Sequence, residues 1–435
     1  MRDLLLIAIV IPACLSALRR PWIGVLLWTW ISIMNPHRYV YGFAYSAPLA
    51  AMAAGATLVG LMTTTERESP FKGKPVTLLL VFMLWATVSW LAGLDPEGDY
   101  EQWTKIMKID FMILIALAVL HTKKHIFALT WVIAASLAIL GAKGGLFTIM
   151  SGGGYRVWGP PGSFIEDNNE FALALVVVIP LLRFLQMQIA SAAARLGMSV
   201  VMFLCAASAL GSQSRGGLLA IATMLLVLWA RGRNKVASGF LILIAGASLV
   251  AFMPDVWSDR MATISDYDED QSAMGRISAW FNAWGIALHY PFGVGFNAAR
   301  PELFAKYSPY FTGSAPAAHS IYFQILGNHG FVGLFLFLSI WLLTFQSAAW
   351  LRKTCREIPE ARWCADLGAM CQVSLVGYAV GGAFLSLAYF DLPYNIMVLV
   401  VLTRVWVERR SWETESQNFS GGKKIADMAG RYEGG

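Results

Sequence analysis

The chain has 435 residues, 57% of them hydrophobic and 14% charged, with a mean hydropathy of +0.57 and a net charge of +6. Apolar runs this long and this numerous exclude a soluble globular domain, and the positive balance reflects Lys and Arg gathered in cytoplasmic loops rather than a nucleic-acid surface. Backbone facing lipid must satisfy its polar groups internally, so the composition predicts an all-α, polytopic integral membrane protein: one helical bundle among membrane lipids, with no nucleic-acid partner.

Apolar segments lie near residues 4–17, 22–34, 46–63, 76–94, 109–120, 126–142, 170–186, 197–211, 216–230, 237–253, 320–349, 367–387 and 390–406. The first two are short and read as a hairpin or a broken pair, which predicts about twelve transmembrane helices. Met1-Arg2-Asp3 before an apolar run resembles a secretory signal, and Ile11-Pro12-Ala13-Cys14 resembles a lipoprotein cleavage site. The membrane segments that follow at once favour a first helix that is kept. The chain divides into an N-terminal transmembrane bundle (1–253), a large polar loop containing short helices (254–318), C-terminal transmembrane helices (319–408) and a tail (409–435) whose polarity predicts disorder.

Twenty Lys and Arg residues fall on one side of these segments and eleven on the other. The richer side, with Arg19-Arg20, Lys123-Lys124 and Arg352-Lys353, is cytoplasmic, so the long loop is periplasmic. The parity of the span count leaves the side of the N-terminus open. Of the five cysteines, three lie in apolar runs and two in a basic loop, which supports neither a disulfide framework nor a zinc pattern.

The periplasmic side holds the residues that could carry chemistry. The first is the segment from Lys143 to Asn169, with Gly152-Gly153-Gly154, Tyr155, Arg156, Trp158 and then Glu166-Asp167-Asn168-Asn169. It combines backbone freedom with a cation, aromatics and acids, which suits a sugar or phosphate site, and it suits an interfacial re-entrant loop equally well. Next comes Ser212-Gln213-Ser214-Arg215-Gly216-Gly217, between two apolar runs. An Arg held at bilayer depth costs roughly 2.5–3.5 kcal/mol and asks for an anion, which a helix N-terminus opened by glycines also favours; a snorkelling Arg is the plainer reading.

Within the long loop, Asp266-Tyr267-Asp268-Glu269-Asp270 is a carboxylate cluster of the type that binds Mg²⁺ or Mn²⁺, and more commonly a solvated, helix-capping run. A helix is expected from Ser272 to Leu288, with Arg276 near its start and Ile277, Trp280, Phe281, Trp284 and Leu288 on one apolar face at the membrane interface. Tyr290 to Asn297 reads as a tight turn. Ser314 and Pro316 suit the cap and first turn of the next helix, which places His319 near a helix N-terminus that disfavours a positive imidazole. His319 is then either a proton acceptor or a packed histidine, whereas His329, ten residues on, reads as structural.

These motifs together resemble the O-antigen ligase and O-antigen polymerase superfamily of bacterial envelope glycosyltransferases. The resemblance rests on Ser214-Arg215-Gly216-Gly217, on Arg276 with Trp280 and Pro291-x-Gly293-x-Gly295, and on His319-Ser320-x-Tyr322-x-x-x-Leu326-x-x-x-Gly330, in that order over residues 150–400. The first 130 residues, with Arg19-Arg20-Pro21-Trp22 and Met34-Asn35-Pro36-His37-Arg38, resemble a ligase branch called putative O-glycosylation ligases of exosortase-associated systems.

The resemblance implies a cofactor-free, metal-independent, inverting transfer of glycan from an undecaprenyl-diphosphate donor to a hydroxyl of the lipid A core, at the periplasmic face of the bacterial inner membrane. By matching motif, His319 becomes the catalytic residue, Arg215 and Arg276 bind the diphosphate, and Arg156 and Lys143 assist them. Trp158, Asp167, Asn168, Asn169 and Tyr322 become glycan or acceptor contacts. Protein O-glycosylation and O-antigen polymerisation are the alternatives with the same donor. The rival from another class is a membrane transporter, which calls for ionisable residues and broken helices near mid-membrane.

Overall fold

The computed structural model describes residues 1–232, 234–254 and 271–413, and every regular element among them is helical. In chain order the helices are α1 (Arg2–Ala17), α2 (Pro21–Met34), α3 (Leu49–Thr63), α4 (Lys74–Leu91), α5 (Pro96–Val119), α6 (Lys123–Met150), α7 (Asn168–Met187), α8 (Ala192–Gly211), α9 (Arg215–Arg231) and α10 (Lys235–Phe252). Then come α11 (Gln271–His289), α12 (Pro301–Tyr307), α13 (Ile321–Thr354), α14 (Arg362–Gly382) and α15 (Asp391–Glu408). The acidic cluster at 266–270 and most of the tail lie outside the described residues.

Six of the described helical segments are long and apolar enough to cross a membrane: Lys74–Leu91, Lys123–Met150, Asn168–Met187, Ala192–Gly211, Ile321–Thr354 and Pro359–Gly382. The expectation of about twelve spans exceeds this set. Helices α1, α2 and α3 have only 16, 14 and 15 residues, and α5 carries Glu97, Asp99, Glu101, Lys105, Lys108 and Asp110 between its N-terminus and residue 110.

Several helix starts follow from local sequence. The Asp95 carboxylate accepts the Gly98 amide at 3.0 Å at the head of α5, Thr122 accepts the His125 amide at 3.2 Å at α6, and Ser214 accepts the Gly217 amide at 3.0 Å at α9. Each side chain satisfies one of the donors that a helix N-terminus leaves without a partner.

Helices α7 and α15 form the centre. Both are apolar nearly all round, the pattern of a helix enclosed by others, and residues 171–182 of α7 and 391–403 of α15 are buried without interruption. Around α7 pack α6, α8, α9 and α14; around α15 pack α5, α6, α13 and α14. The outer helices turn Leu84, Leu91, Leu196, Phe335 and Leu342 outward, as the lipid-facing side of a bundle requires.

The helix α13 is 34 residues long but breaks at Gly330, where φ is 67° and ψ is −170°. The turn Pro291–Gly295 packs into this break: the amides of Val294 and Gly295 both donate to the Asn328 carbonyl, at 3.1 and 3.2 Å, and the Trp85 indole donates to the His329 carbonyl at 2.8 Å. The carbonyls freed by the break are thereby satisfied within the protein, as a break at membrane depth requires. Gly293 is fixed by this contact, because a Cβ there would lie 2.1 Å from the Asn328 oxygen.

Candidate functional site

The expected loop helix from Ser272 to Leu288 is present as Gln271–His289. Its buried face is Ala279, Asn282, Ala283 and Ile286, packed toward α13, while Phe281, Trp284 and Leu288 of the expected apolar face are 47%, 50% and 60% exposed. Trp280 lies between the two faces. Its ring stacks on Phe323 at 5.0 Å and 10°, and its Nε1 donates to the Ala318 carbonyl at 2.9 Å.

The next helix begins later than Ser314 and Pro316 suggest. It starts at Ile321, and Ser320 precedes it without a side-chain cap. Residues 315–318 stay irregular, with the Ala318 carbonyl engaged by Trp280, and His319 takes a left-handed φ of 42° that ends the approach segment and starts the helix. Four non-glycine residues among those described have a left-handed φ, and two of them, Gln213 and His319, belong to this region. Such strain is held where surrounding contacts overdetermine it, commonly at functional sites.

His319 is half-buried. Burial and the Arg276 guanidinium push its imidazole below the ordinary value of 6.5, while the Asp167 carboxylate pulls the other way. Asp167, the N-cap of α7, accepts the Asn169 amide at 2.9 Å and the Asn169 side chain at 2.7 Å. Burial raises the Asp167 carboxyl, but hydrogen bonds from Glu170 and Asn169 and the His319 charge bring it below its ordinary value. Glu170 in turn feels the Arg276 charge. Asp167, Glu170, Arg276 and His319 thus form one electrostatic cluster, built from the N-terminus of α7, from α11 and from the start of α13.

A second group of cations gathers at the turn before α9. Arg156 Nε donates to Gln213 Oε1 at 3.3 Å, the Gln213 amide group donates to the Gly153 carbonyl at 3.4 Å, and the Val157 amide donates to the Gly211 carbonyl at 3.2 Å. Arg215 is the first residue of α9, two residues beyond Gln213. Asn168 Nδ2 donates to the Ser212 carbonyl at 2.7 Å, and a Cβ on Gly217 would meet that of Ala172 at 2.8 Å. The head of α7 therefore joins the two groups: Asn168 holds the turn that carries Arg215, and its neighbour Asp167 faces His319.

The other expected residues fall as follows. Trp158, 55% exposed, lines an open cleft of about 390 Å³ with Glu166, Asp167, Glu170 and Ser386. Lys143 places its ammonium 4.9 Å from the Tyr39 ring centroid. The Tyr322 hydroxyl donates to the Ala379 carbonyl at 2.7 Å, which fixes α13 against α14. His329 is fully buried, its Nε2 2.8 Å from the Tyr389 hydroxyl, in keeping with a structural part.

Sequence reasoning passed over Glu170 and Gln213. Glu170 stands three residues after the N-cap Asp167, the spacing of a capping box, and that pattern marked it as a partner of Asp167. Nothing in the sequence marks Gln213, whose role comes from a left-handed backbone.

The arrangement holds two half-buried guanidiniums, Arg215 and Arg276, of the kind that binds phosphate oxygens, and an imidazole whose lowered pKa favours the proton-accepting form. Comparison with curated proteins finds no match. Residues 1–190 match a family of unknown function (DUF5935), and residues 200–338, which hold Arg215, Arg276 and His319, match the O-antigen ligase family. That domain, whose span contains the turn, the loop helix and the histidine joined above, supports the O-antigen ligase superfamily.

Proposed function

We propose that the protein is an O-antigen ligase, transferring a glycan from undecaprenyl diphosphate to a hydroxyl of the lipid A core at the periplasmic face of the inner membrane. The observation that carries this reading is the junction at α7, where Asn168 bonds the Ser212 carbonyl and Asp167 acts on His319.

In this mechanism Arg276 and Arg215 hold the donor diphosphate, with Arg156 beside them. The acceptor hydroxyl gives its proton to the neutral His319 imidazole as its oxygen bonds to the anomeric carbon, and the bond from that carbon to the phosphate oxygen breaks. Direct displacement inverts the anomeric configuration. Negative charge grows on the leaving diphosphate, so fixed guanidiniums in a poorly hydrated cleft stabilise the transition state more than the ground state. Asp167 steadies the imidazolium that forms, in the manner of the carboxylate in a hydrolase triad.

The transporter rival is weakened by the break in α13, since Pro291–Gly295 fills it with backbone and the freed carbonyls are bonded. Incubating purified protein with lipid-linked glycan and lipid A core, in chelator, should give a laddered product. Arg215→Lys should reduce transfer, because an ammonium cannot reproduce the planar fork of a guanidinium. A product that keeps the donor's anomeric configuration, or undiminished transfer by His319→Ala, would contradict the mechanism. Transfer to a protein or to a second lipid-linked glycan, and none to the lipid A core, would reassign the acceptor.

A further inference from the structure

A cavity of about 150 Å³ lies between α11, the turn at 296–299 and the first half of α13. Its polar lining is unusual in kind: the carboxamides of Asn282, Asn297, Gln324 and Asn328 and the hydroxyl of Ser386, with no ionisable side chain among the lining residues. Asn282 is 2% exposed, its Nδ2 donates to the Ala298 carbonyl at 2.9 Å, and its Oδ1 has no protein partner. The Ser386 hydroxyl is likewise buried without a protein partner. Gln324 spends its carbonyl oxygen on the Ala388 amide at 3.2 Å and Asn297 its own on the Ala299 amide at 3.1 Å, so each turns its NH₂ group to other use. Buried acceptors and hydroxyls without partners call for a ligand that supplies them.

We propose that this cavity binds an uncharged, hydroxyl-bearing sugar ring. Carboxamides both donate and accept, as sugar hydroxyls do, and they carry no charge to favour an anion or a cation. Apolar walls suit the C–H faces of such a ring, and Phe296 and Phe323 supply them. The position is apt, because the wall includes Pro316, Ala317 and Ala318, the three residues immediately before His319. Ser386 also lines the Trp158 cleft, so the two spaces share that residue as a wall. As a part of the transfer site this inference rests on the ligase reading, and the ring belongs either to the acceptor or to the first sugar of the donor.

Two variants test it without attacking the fold. Ser386→Ala removes a hydroxyl that makes no protein hydrogen bond, and Ala299→Leu narrows the cavity from a loop. Full-length protein in detergent is probed by saturation-transfer NMR with the methyl glycosides of glucose, galactose and mannose, and with methyl glucuronide as the charged control. A signal from at least one neutral glycoside, none from the glucuronide, and a weakened signal in both variants is the expected result. In the transfer assay KM should rise about 2- to 10-fold in Ser386→Ala, the loss of one neutral hydrogen bond, for the acceptor or for the donor according to which ring is held. If no neutral glycoside gives a signal, or if the variants leave it unchanged while Ser386→Ala merely raises the unfolding temperature, the cavity holds only water and the proposal is overturned. Glycoside binding by a protein that transfers nothing from any lipid diphosphate would instead refute the ligase reading and leave the sugar site standing.

Discussion

The Trp280 indole donates a hydrogen bond to the Ala318 carbonyl at 2.9 Å, one residue before the left-handed His319. This contact ties the helix that carries Arg276 to the residue before His319, the proposed proton acceptor. Trp280→Phe keeps the stack on Phe323 but deletes the donor, and a neutral hydrogen bond contributes about 0.5–1.5 kcal/mol. Transfer should fall about 3- to 10-fold in kcat, with the pH profile unmoved, because the charges around His319 are untouched. Unaltered kcat would show that His319 does not depend on this tether.

The pH dependence follows from His319. Burial and Arg276 lower its pKa from 6.5, so the imidazole is neutral at neutral pH. The rate should be level above that value and fall as pH drops through the folded-state pKa. Stability carries the same sign: between the folded pKa and 6.5 the unfolded chain binds more protons, so this contribution is complete above 6.5 and is lost as pH falls. Arg276→Met removes a positive charge and should move the acid limb of the rate profile to higher pH, besides weakening donor binding. A limb that stays in place would remove His319 from the assignment.

Glu170 is placed by its hydrogen bond with Asp167, and two carboxyl groups in such a bond need one proton between them. Glu170→Gln supplies that donor through its amide and should transfer within about threefold of the parent, whereas Glu170→Leu leaves Asp167 short of a partner and should lose about tenfold or more. Equal rates for the two variants, measured with saturating donor, would show that the carboxyl pair does not support His319.

Gly293→Ala probes the plugged break in α13. A left-handed φ of 77° costs an alanine about 1–2 kcal/mol, and its Cβ would also lie 2.1 Å from the Asn328 oxygen. The unfolding midpoint, followed by tryptophan fluorescence in detergent, should fall by several degrees and transfer should fall with it. Gly55→Ala is the control: nothing lies within 4 Å of its Cβ, and a helical alanine should stabilise by about 0.4–1 kcal/mol. A smaller loss at Gly293 than at Gly55 would contradict the packing described.

The helical character of the chain, the loop helix and the order of Arg215, Arg276 and His319 were legible in the sequence, because apolar periodicity and motif spacing are local properties. The start of α13 was misread: Ser314 and Pro316 have the right chemistry for a cap, but Trp280, 38 residues before Ala318, takes that segment's carbonyl and keeps it irregular. The stitch between Asn168 and Ser212 spans 44 residues and was equally out of reach. The break at Gly330 was invisible for a like reason, since the backbone that seals it comes from a different segment of the chain.

That seal governs how the site can open. The turn after α11 is bonded to Asn328 by two amides, and α11 itself is bonded to Ala318 by Trp280. The loop helix and its turn are therefore coupled to residues 318–328 at two points, Ala318 and Asn328. On the proposed ligase reading, a motion that admitted the donor without breaking these bonds would carry Arg276 and His319 together and keep their spacing.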